Sequence, residues 1–416
     1  MKNKFLVGFL SGLAGMFLIA AGCFTIYAKE LQFQPNIYAQ TEKSNSVNGT
    51  EEILSDSDIL KKINQLEGLI DEYYMEEVDA EKLTNGIYKG MIAGLGDPYS
   101  TYYTVSEYNS LMESSSGVYY GIGTTVSQNV NTGVITLVKP FVNSPAYEAG
   151  LLPGDILYKV EGEEVTGLDL TEVVSRIKGE TGTKVNVEIL RNNSNEPISF
   201  LIERRKVEVP TIEYEMLEGK IGYIAVSEFD EITLSQFKKA IEELDKQGQI
   251  GLVIDLRNNP GGLLDTVTKM LDRILPEGLI VYTEDKDGFR EEIKGDNKEV
   301  FNKPISILIN GNSASASEIF AGAIQDYEKG TIVGTTSFGK GIVQSIIPMQ
   351  DGTALKVTVS KYFTPLGRNI HKTGITPDVE VELLEELKQE VVIDKKKDNQ
   401  LHAAIEEINK QIATKK

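Results

Sequence analysis

The chain has 416 residues, of which 41% are apolar and 25% are charged. This composition is typical of a globular protein, and the length is enough for two or three domains that each bury a core. The net charge of −20 argues against nucleic acid as a main partner, because phosphate binding needs clustered basic residues. A single cysteine, Cys23, excludes an intramolecular disulfide framework and a cysteine-based zinc site.

The N-terminus carries an uncharged apolar run, Phe5–Ala28, behind Lys2 and Lys4. As a helix rising ~1.5 Å per residue, this run would be about 36 Å long and would cross a hydrocarbon core of ~30 Å. The short basic flank favours a cytoplasmic N-terminus. We therefore predict that residues 1–28 are a signal anchor, a single transmembrane helix that holds the rest of the chain outside the cytoplasm at the cell membrane.

Two other fates of this segment stay open. Cleavage after Gly22 or near Ala28 would release a secreted protein, because small residues stand at both places. Lipidation of Cys23 would anchor the chain instead, since Ala20–Cys23 loosely resembles a lipobox. All three outcomes place the functional part outside the cytoplasm.

Two regions of different character follow. Residues 29–56 are polar, lack an apolar period and are predicted to be a linker. Residues 57–113 are predicted to be helical, because apolar residues recur in them at helical spacing: Ile59, Ile63, Leu66, Ile70, Leu83, Ile87, Met91 and Ile92. A helix is expected to start at Asp79 or Thr84, and the Gly94–Pro98 segment ends the unit.

Short strands separated by glycine turns are predicted over residues 114–205. The predicted strands are Thr124–Val126, Val134–Val138, Ile156–Val160 and Lys184–Leu190. Two helical stretches, Ser144–Leu151 and Thr171–Lys178, interrupt them. The Ser-Pro-Ala, Ala-Gly and Gly-Asp groups within Ser144–Asp155 resemble those of a PDZ domain, and the resemblance extends over the whole segment.

A PDZ domain implies binding of the free C-terminal tail of a protein or peptide. The predicted tail loop consists of Tyr120, Gly121, Ile122 and Gly123, whose Gly-x-Gly turn can present successive backbone N–H groups to a carboxylate. The strand that follows can pair with an extended peptide. The alternative is that these glycines only build a hairpin.

From residue 206 to 385, predicted apolar strands alternate with helices, which is the pattern of an α/β core. The strands are Ile221–Val226, Leu252–Leu256 and Ile305–Ile309, and the helices are Ser235–Asp245, Gly262–Leu275 and Ser317–Tyr327. Residues 386–416 are predicted to form a charged helix with apolar residues at 405, 408 and 412. We expect this helix to be amphipathic and solvated, with pairing to another subunit as the alternative.

A serine-bearing turn leaves one of these buried strands and opens a helix. Ser315 would therefore stand at a helix N-terminus, where the helix dipole and free N–H groups favour a developing anion. The N–H of Ala316 is expected to be one oxyanion donor. Ser315 and Glu318 also fit a capping box, so a structural serine is the alternative, and Ser313 and Ser317 are rival nucleophiles.

The chain has only two histidines, which favours lysine as the base for a serine nucleophile. Lys340 lies between two glycines and near apolar residues, where loss of water would lower its pKa and leave a neutral amine. Gln344 stands four positions later on a predicted strand, so both side chains would share a face and Gln344 could orient the amine. This chemistry needs no metal or other cofactor. The alternative is an exposed loop lysine with a surface glutamine.

Two further motifs bear on this site. Residues Gly334–Lys340 satisfy seven positions of a phosphate-binding loop, but Gly341 replaces the residue that would ligate magnesium, and a strand is predicted to follow instead of a helix. The Leu256–Gly262 turn leaves a buried strand at the end of the sheet where ligands bind. We predict the N–H of Gly261 as the second oxyanion donor, with Gly262 as the alternative; otherwise proline and glycine merely shape this turn.

Taken in order, these motifs resemble those of the C-terminal processing peptidases, or tail-specific proteases, from about residue 57 to 382. The motifs are Gly96–Tyr102, the PDZ segment, Asn259–Gly262, Ser313–Glu318, Phe338–Gln344 and Gly374–Asp378. The resemblance implies a crotonase-type α/β protease core with an inserted PDZ domain. It also implies that Ser315 is the nucleophile, Lys340 the base and Gln344 the group that orients the lysine.

One part of the chain departs from this family. Members often carry an arginine after the PDZ helix that couples tail binding to the active site, whereas this chain has Ile177–Thr183 there. Arg176 and Lys178 are therefore both candidates for the gating residue. By analogy with the family, the helical termini favour a homodimer.

The sequence thus predicts a serine endopeptidase that recognises extracytoplasmic proteins by their C-terminal tails and cleaves them through an acyl-enzyme. The alternative is a membrane-tethered PDZ adaptor whose protease core is inactive. The two differ in one observable, because an adaptor binds peptide without turnover.

Overall fold

The computed structural model describes residues 23–24, 56–192, 194, 196–296, 298, 301–390 and 393–414. Most of the predicted membrane helix and nearly all of the predicted linker lie outside these ranges. Two residues of the predicted membrane helix are described, Cys23 and Phe24, and they form a short strand, so the prediction of a helix is wrong for these two residues. In the ranges given, no helix is both long enough and apolar enough to cross a membrane.

The N-terminal region combines helices with two very short strands. Its described elements are β1 (Cys23–Phe24), α1 (Asp56–Tyr73), α2 (Ala80–Ala93), β2 (Thr101–Tyr103) and α3 (Val105–Ser116). Asp79 begins α2 as one of the two predicted starts, and its carboxylate accepts the N–H of Lys82. Thr104 caps α3, and Gly117 ends it at φ +67°, a left-handed conformation that glycine adopts readily.

An antiparallel unit follows. Its elements are β3 (Val118–Gly121), β4 (Thr124–Gln128), β5 (Ile135–Pro140), α4 (Pro145–Ala149), β6 (Ile156–Val160), β7 (Glu163–Glu164), α5 (Leu170–Ile177), β8 (Lys184–Leu190), β9 (Ile198–Glu203) and β10 (Arg205–Glu208). Five strands form one sheet in the order β4-β5-β6-β8-β9, with β7 beside β6, while β3 pairs with β10. Alternate residues of β8, namely Val185, Val187 and Ile189, enter the core of this unit.

The rest of the chain forms two six-stranded sheets with helices. Its elements are β11 (Ile212–Leu217), a 3₁₀ turn (Glu218–Lys220), β12 (Ile221–Val226), α6 (Thr233–Lys246), β13 (Gly251–Asp255), α7 (Leu264–Asp272), β14 (Gly278–Asp285), β15 (Arg290–Gly295), β16 (Ile305–Ile309), α8 (Ala316–Asp326), β17 (Thr331–Gly334), β18 (Ile342–Pro348), β19 (Ala354–Phe363), β20 (Val379–Glu380) and α9 (Asn399–Thr414). The order of the first sheet is β11-β12-β13-β16-β17-β20, and that of the second is β1-β18-β19-β14-β15 with β2 beside β19.

The central parallel strands of the first sheet are mostly apolar because both faces of the sheet are covered. Every residue of β13 and of β16 is buried. Ile254 and Ile307 pack with α6, α7 and α8, whereas Val253 and Leu308 pack with α9 on the opposite face. The carboxyl ends of β13 and β16 therefore lie side by side at one edge of the sheet, where the functional turns begin.

The C-terminal helix corrects one expectation. It begins at Asn399 and buries Leu401, Ala404 and Ile408 against the sheet, so the prediction of a solvated helix is wrong. The spacing of its apolar residues was that of an amphipathic helix, but spacing alone does not say which surface the apolar face covers. In this protein that face covers the central strands.

A buried ion-pair network ties this helix to the turn after β13. Arg257 Nη2 lies 2.6 Å from Asp255 Oδ2 and 2.7 Å from Asp398 Oδ2, and the arginine side chain is only 11% exposed. Asp398 also accepts the N–H groups of Gln400 and Leu401 at the start of α9. We expect Arg257→Ala to lower the free energy of unfolding by about 3–5 kcal/mol, because it leaves two buried carboxylates unpaired.

Denaturant unfolding checks this expectation, with an exposed ion pair as the control. Lys269 and Asp265 of α7 are paired at 2.6 Å, and both side chains are more than half exposed. Lys269→Ala should change the free energy of unfolding by less than about 1 kcal/mol. An effect of Arg257→Ala as small as that of the control would contradict a stabilising role for the network.

Candidate active site

Ser315 occupies an unusual backbone conformation at the N-terminus of α8. Its φ of +54° and ψ of −113° lie outside the regions that residues with a side chain normally adopt. Both backbone polar groups are held, since its N–H donates to Glu318 Oε2 at 2.8 Å and its carbonyl accepts the Tyr362 hydroxyl at 3.0 Å. A sharp turn between strand and helix is a known way to present a nucleophilic serine.

The hydroxyl groups of the two neighbouring serines form structural hydrogen bonds within the turn. The Ser313 hydroxyl donates to the carbonyl of Leu256 at 2.8 Å, and the Ser317 hydroxyl donates to the carbonyl of Asn259 at 2.9 Å. Both serines are fully buried. Their hydroxyl protons therefore hold the turn after β16 against the turn after β13.

The Glu318 carboxylate joins the serine turn to the lysine loop. It accepts four hydrogen bonds, from the N–H groups of Ser315, Gly339 and Lys340 and from the Ser337 hydroxyl, at 2.6–2.8 Å. Burial raises the pKa of Glu318, while these four hydrogen bonds favour its ionised form. The capping bond was foreseeable from the sequence, but the link to the lysine loop was not.

Lys340 is buried beside an aromatic ring. Lys340 is only 4% exposed, so the alternative of an exposed loop lysine is wrong. Its Nζ lies 4.8 Å from the ring centroid of Tyr99. Lys340 precedes β18, which begins at Ile342, instead of lying on the strand. The phosphate-binding alternative is wrong, because a strand follows the loop and Glu318 already occupies the N–H groups of Gly339 and Lys340.

Gln344 is 1% exposed and stands at an irregular point of the second sheet. The pairing of β18 with β19 shifts register between Val343 and Gln344, which sets Gln344 opposite Thr358. Gln344 Nε2 donates to Thr358 Oγ1 at 3.2 Å. Lys340 and Gln344 therefore do not share one face of a strand as predicted, because Lys340 lies before β18 and a bulge redirects Gln344.

Gly261 packs directly against the serine turn. Its φ is +117°, and a Cβ at this position would lie 2.9 Å from Ser315 Cβ and 3.1 Å from the nitrogen of Ala316. The Gly261 N–H donates to Asn259 Oδ1 at 2.8 Å. The side chain of Asn259 therefore occupies this N–H here, and the oxyanion roles of Gly261, Gly262 and Ala316 stay predictions.

The predicted tail loop is held in shape through its carbonyl groups. Those of Tyr120, Ile122 and Gly123 accept hydrogen bonds from neighbouring segments at 2.7–3.2 Å. Burial raises the pKa of Tyr119 to about 12, while the backbone N–H groups of Thr124 and Gly123 act in the opposite direction. The ring of Tyr119 also lies against Gly121.

The two candidate gating residues have different partners. Arg176 forms ion pairs with Glu163 and Glu172, which both belong to the antiparallel unit. Lys178 instead bonds to Glu113 of α3, outside that unit, and its Nζ lies 5.2 Å from the ring centroid of Tyr119. Of the two, Lys178 is the residue that connects the antiparallel unit to the N-terminal region.

Two acids, the partly exposed Glu228 and the buried Asp230, stand in the segment that holds the Gly261 turn. The Phe229 N–H donates to the carbonyl of Gly261 at 2.9 Å, and the Leu263 N–H donates to the carbonyl of Phe229 at 2.7 Å. On either side of Phe229, burial raises the pKa of Glu228 to about 7, and burial with repulsion from Glu228 raises the pKa of Asp230 to about 8.

The raised pKa values of Glu228 and Asp230 should make the stability of the protein depend on pH. Their unfolded pKa values are about 4, so the folded chain binds more protons than the unfolded chain between about pH 4 and pH 8. The stability that these two acids contribute is therefore full below that window and is lost as pH rises through the folded pKa values. We expect Tm to fall between pH 5 and pH 8.5, and Asp230→Asn to weaken that slope. Glu242→Gln on α6 should leave it unchanged, and an unaltered slope in Asp230→Asn would contradict the assignment.

Three segments of the chain match known protein-family models. Residues 220–381 match "Peptidase family S41", residues 134–191 match "PDZ domain", and residues 15–106 match "Activating protease CtpB N-terminal domain". Among solved structures, the photosystem II D1 C-terminal processing protease is 28% identical, with a TM-score of 0.46, over 79% of this chain and 87% of that one.

Curated relatives resemble most of the chain. The carboxy-terminal processing protease CtpA of Bacillus subtilis is 38% identical over 77% of this chain and 69% of that protein. CtpB of the same organism is 36% identical over 83% of this chain and 74% of that protein. A probable CtpA-like serine protease of Staphylococcus saprophyticus is 38% identical, and the match spans 78% of this chain and 66% of that protein. The chain has a mixed α/β fold with an S41 core and a PDZ domain, and it belongs to the C-terminal processing peptidases, a family of serine-type peptidases.

Proposed function

We propose that this protein is a serine endopeptidase of the C-terminal processing type that works through Ser315, Lys340 and Gln344. The observation that carries the proposal is the Glu318 carboxylate, which holds the N–H groups of Ser315 and Lys340 at 2.8 Å each. One buried group thereby fixes the backbones of a serine and a lysine that come from separate elements. Serine with lysine as its base is a known variant of the hydrolytic triad.

The reaction is an acyl transfer. The amine of the buried Lys340 acts as the base and takes the hydroxyl proton of Ser315 as Oγ attacks the peptide carbonyl carbon. The N–H groups of Ala316 and Gly261 stabilise the oxyanion, for which Gly261 exchanges its bond to Asn259. The C–N bond then breaks, the leaving amine takes the proton from Lys340, and water hydrolyses the acyl-enzyme.

The PDZ unit selects substrates by their C-terminal tails and regulates the active site. The tail carboxylate binds the loop Tyr120–Gly123, and the peptide pairs with a strand edge. Lys178 transmits the effect of tail binding to the N-terminal region, because it bonds to Glu113 of α3 outside the PDZ unit. Lys178→Met should therefore change the dependence of kcat on tail sequence, whereas Arg176→Met should not. Unchanged tail preference after deletion of residues 114–205 would contradict this part of the proposal.

We assign the protein to the cell membrane as a single-pass protein whose crotonase-like core lies outside the cytoplasm. The support is the uncharged run behind Lys2 and Lys4, of which residues 5–22 precede the strand Cys23–Phe24 and are still enough to span a hydrocarbon core as a helix. Protease added to spheroplasts should degrade the core, whereas complete protection would contradict this orientation.

We also propose that the N-terminal helices form a homodimer contact. Large apolar side chains of α1 and α2 are exposed in the single chain: Ile59, Leu60, Leu66, Leu69, Leu83, Ile87, Tyr88 and Met91. Leu66→Glu with Met91→Glu should therefore yield monomers in light scattering of the detergent-solubilised protein. A dimer that survives both changes would exclude this surface as the contact.

Peptide cleavage tests the proposed activity. A peptide with an apolar C-terminus is incubated with the wild type, Ser315→Ala and Lys340→Ala, and both binding and cleavage are measured. We expect binding by all three proteins and cleavage by the wild type alone. Equal cleavage by all three would overturn the serine–lysine assignment, and binding by the wild type without cleavage would support the PDZ adaptor.

A further inference from the structure

We propose that Asp97 is a positioning residue for the active site, which it serves by orienting the amide of Gln344 through the hydroxyl of Thr358. This inference rests on the proposed function. Asp97 lies in the turn between α2 and β2, in the N-terminal region and far from Gln344 along the chain. Its Oδ2 accepts the Thr358 hydroxyl at 2.6 Å, and that same hydroxyl oxygen accepts Gln344 Nε2 at 3.2 Å.

The charge of Asp97 gives this chain of hydrogen bonds a direction. Burial acts to raise the pKa of Asp97, but hydrogen bonds from Ser100, Thr358 and the Tyr99 N–H, together with attraction to Lys340, outweigh it and lower the pKa. An ionised carboxylate can only accept hydrogen bonds, so the Thr358 hydroxyl proton points at Asp97. The lone pairs of that oxygen then face Gln344.

Only one end of the Gln344 amide can satisfy those lone pairs. The Nε2 group is the donor, so it turns towards Thr358, and the carbonyl oxygen Oε1 becomes the end that accepts a hydrogen bond. An acceptor is what the amine of Lys340 requires of an orienting neighbour. If Nε2 faced the lysine instead, two donors would oppose each other in a buried site.

The backbone around Thr358 is fixed by the same turn. The Thr358 N–H donates to Ser100 Oγ at 3.1 Å, and Ser100 Oγ donates to Asp97 Oδ2 at 2.6 Å. Thr358 is thus held through both its N–H and its hydroxyl, directly opposite the register shift at Gln344. The ring of Tyr99, from the same turn, lies 4.8 Å from Lys340 Nζ. One N-terminal turn therefore contacts the lysine and, through Thr358, the glutamine.

Substitutions along the chain of hydrogen bonds test the inference. Thr358→Val keeps the shape but removes the hydroxyl, and we expect kcat to fall about 10-fold with KM within about twofold of the wild type. Asp97→Asn should cause a similar loss, because its amide can donate to Thr358 and let the hydroxyl turn round. Thr358→Ser should restore kcat, since it returns the hydroxyl in the same place.

The pair Asp351 and Thr353 provides a matched control. The Thr353 hydroxyl donates to Asp351 Oδ1 at 2.6 Å, the same distance as in the pair of Asp97 and Thr358, but this pair lies in the turn before β19. Asp351→Asn and Thr353→Val should leave kcat within about twofold of the wild type. A loss equal to that of the Asp97 variant would mean that such pairs act through stability alone and would overturn the inference.

A double-mutant cycle distinguishes a positioning role from a general loss of stability. If Asp97 and Thr358 act through Gln344, then in a Gln344→Ala background neither Asp97→Asn nor Thr358→Val should lower kcat by more than about twofold further. A further 10-fold loss in that background would overturn the inference. If Thr358→Val does not fold, the kcat of Asp97→Asn, which is nearly isosteric with the wild type, provides the same test.

The design also distinguishes failure of this inference from failure of the proposed function. If Ser315→Ala is inactive and Thr358→Val and Asp97→Asn keep the wild-type kcat, only the positioning role is wrong. If Ser315→Ala cleaves at the wild-type rate, the proposed function is wrong, and the positioning role is overturned with it.

Discussion

Replacing Lys340 with methionine should lower kcat for peptide cleavage about 10⁴-fold or more, because loss of one member of a catalytic unit removes nearly all the benefit of the others. Methionine is unbranched and of similar length, so it should fill the buried site of a residue that is 4% exposed. It has no lone pair of comparable basicity to accept the Ser315 proton. Thermal unfolding should confirm that the variant is folded.

A second buried lysine supplies the control for this substitution. Lys356 is 4% exposed, and its Nζ lies 5.4 Å from the ring centroid of Tyr103, which resembles the contact of Lys340 with Tyr99. Lys356→Met should keep most of the wild-type kcat. If Lys340→Met retained more than a tenth of the activity, Lys340 would not be the base.

Replacing Glu318 with glutamine should lower kcat about 100-fold or more while KM changes little. Glutamine has one carbonyl oxygen, so its amide nitrogen would face two of the four donors that the carboxylate now accepts. In either orientation of the amide, two of these donors lose their acceptor, which weakens the link between the serine turn and the lysine loop. Under the proposed role of the PDZ unit in tail binding, KM should change much less than kcat.

The capping box at the start of α3 provides a control for the loss of helix capping in Glu318→Gln. Glu107 accepts the Thr104 N–H at 2.9 Å, as Glu318 accepts the N–H of Ser315, but Glu107 lies at the start of α3. Glu107→Gln should leave kcat within about twofold of the wild type. Equal losses in the two variants would mean that Glu318 matters only as a helix cap.

Local patterns in the sequence were sufficient for most of the strands near the site. The bounds of β12 and β16 were predicted to the residue, because both are short and mostly apolar runs between turns. The turn of Ser315 was also recognisable as the start of a helix. The surroundings of the serine were harder to predict, since the hydroxyl bonds that set Ser313 and Ser317 apart from Ser315 go to Leu256 and Asn259 across the sheet edge.

Contacts between distant parts of the chain account for what was missed. Glu318 matched a local capping pattern, which contains no information about its bonds to the loop before β18. Asp97 was assigned to the end of a helical unit and to a family motif, and neither indicates that it reaches Thr358 on β19. The bulge at Gln344 likewise depends on the pairing partner of β18, which strand periodicity does not specify.

The central claim is that Ser315 forms a covalent acyl-enzyme, and mass spectrometry of the protein trapped during turnover tests it most directly. The enzyme is mixed with a peptide ester or amide, quenched in acid and digested. We predict the mass of the substrate acyl group on the fragment that contains Ser315, localised to that residue by fragmentation, and no adduct in Ser315→Ala. An adduct localised to Ser313 or Ser317, or continued turnover by Ser315→Ala, would contradict the account.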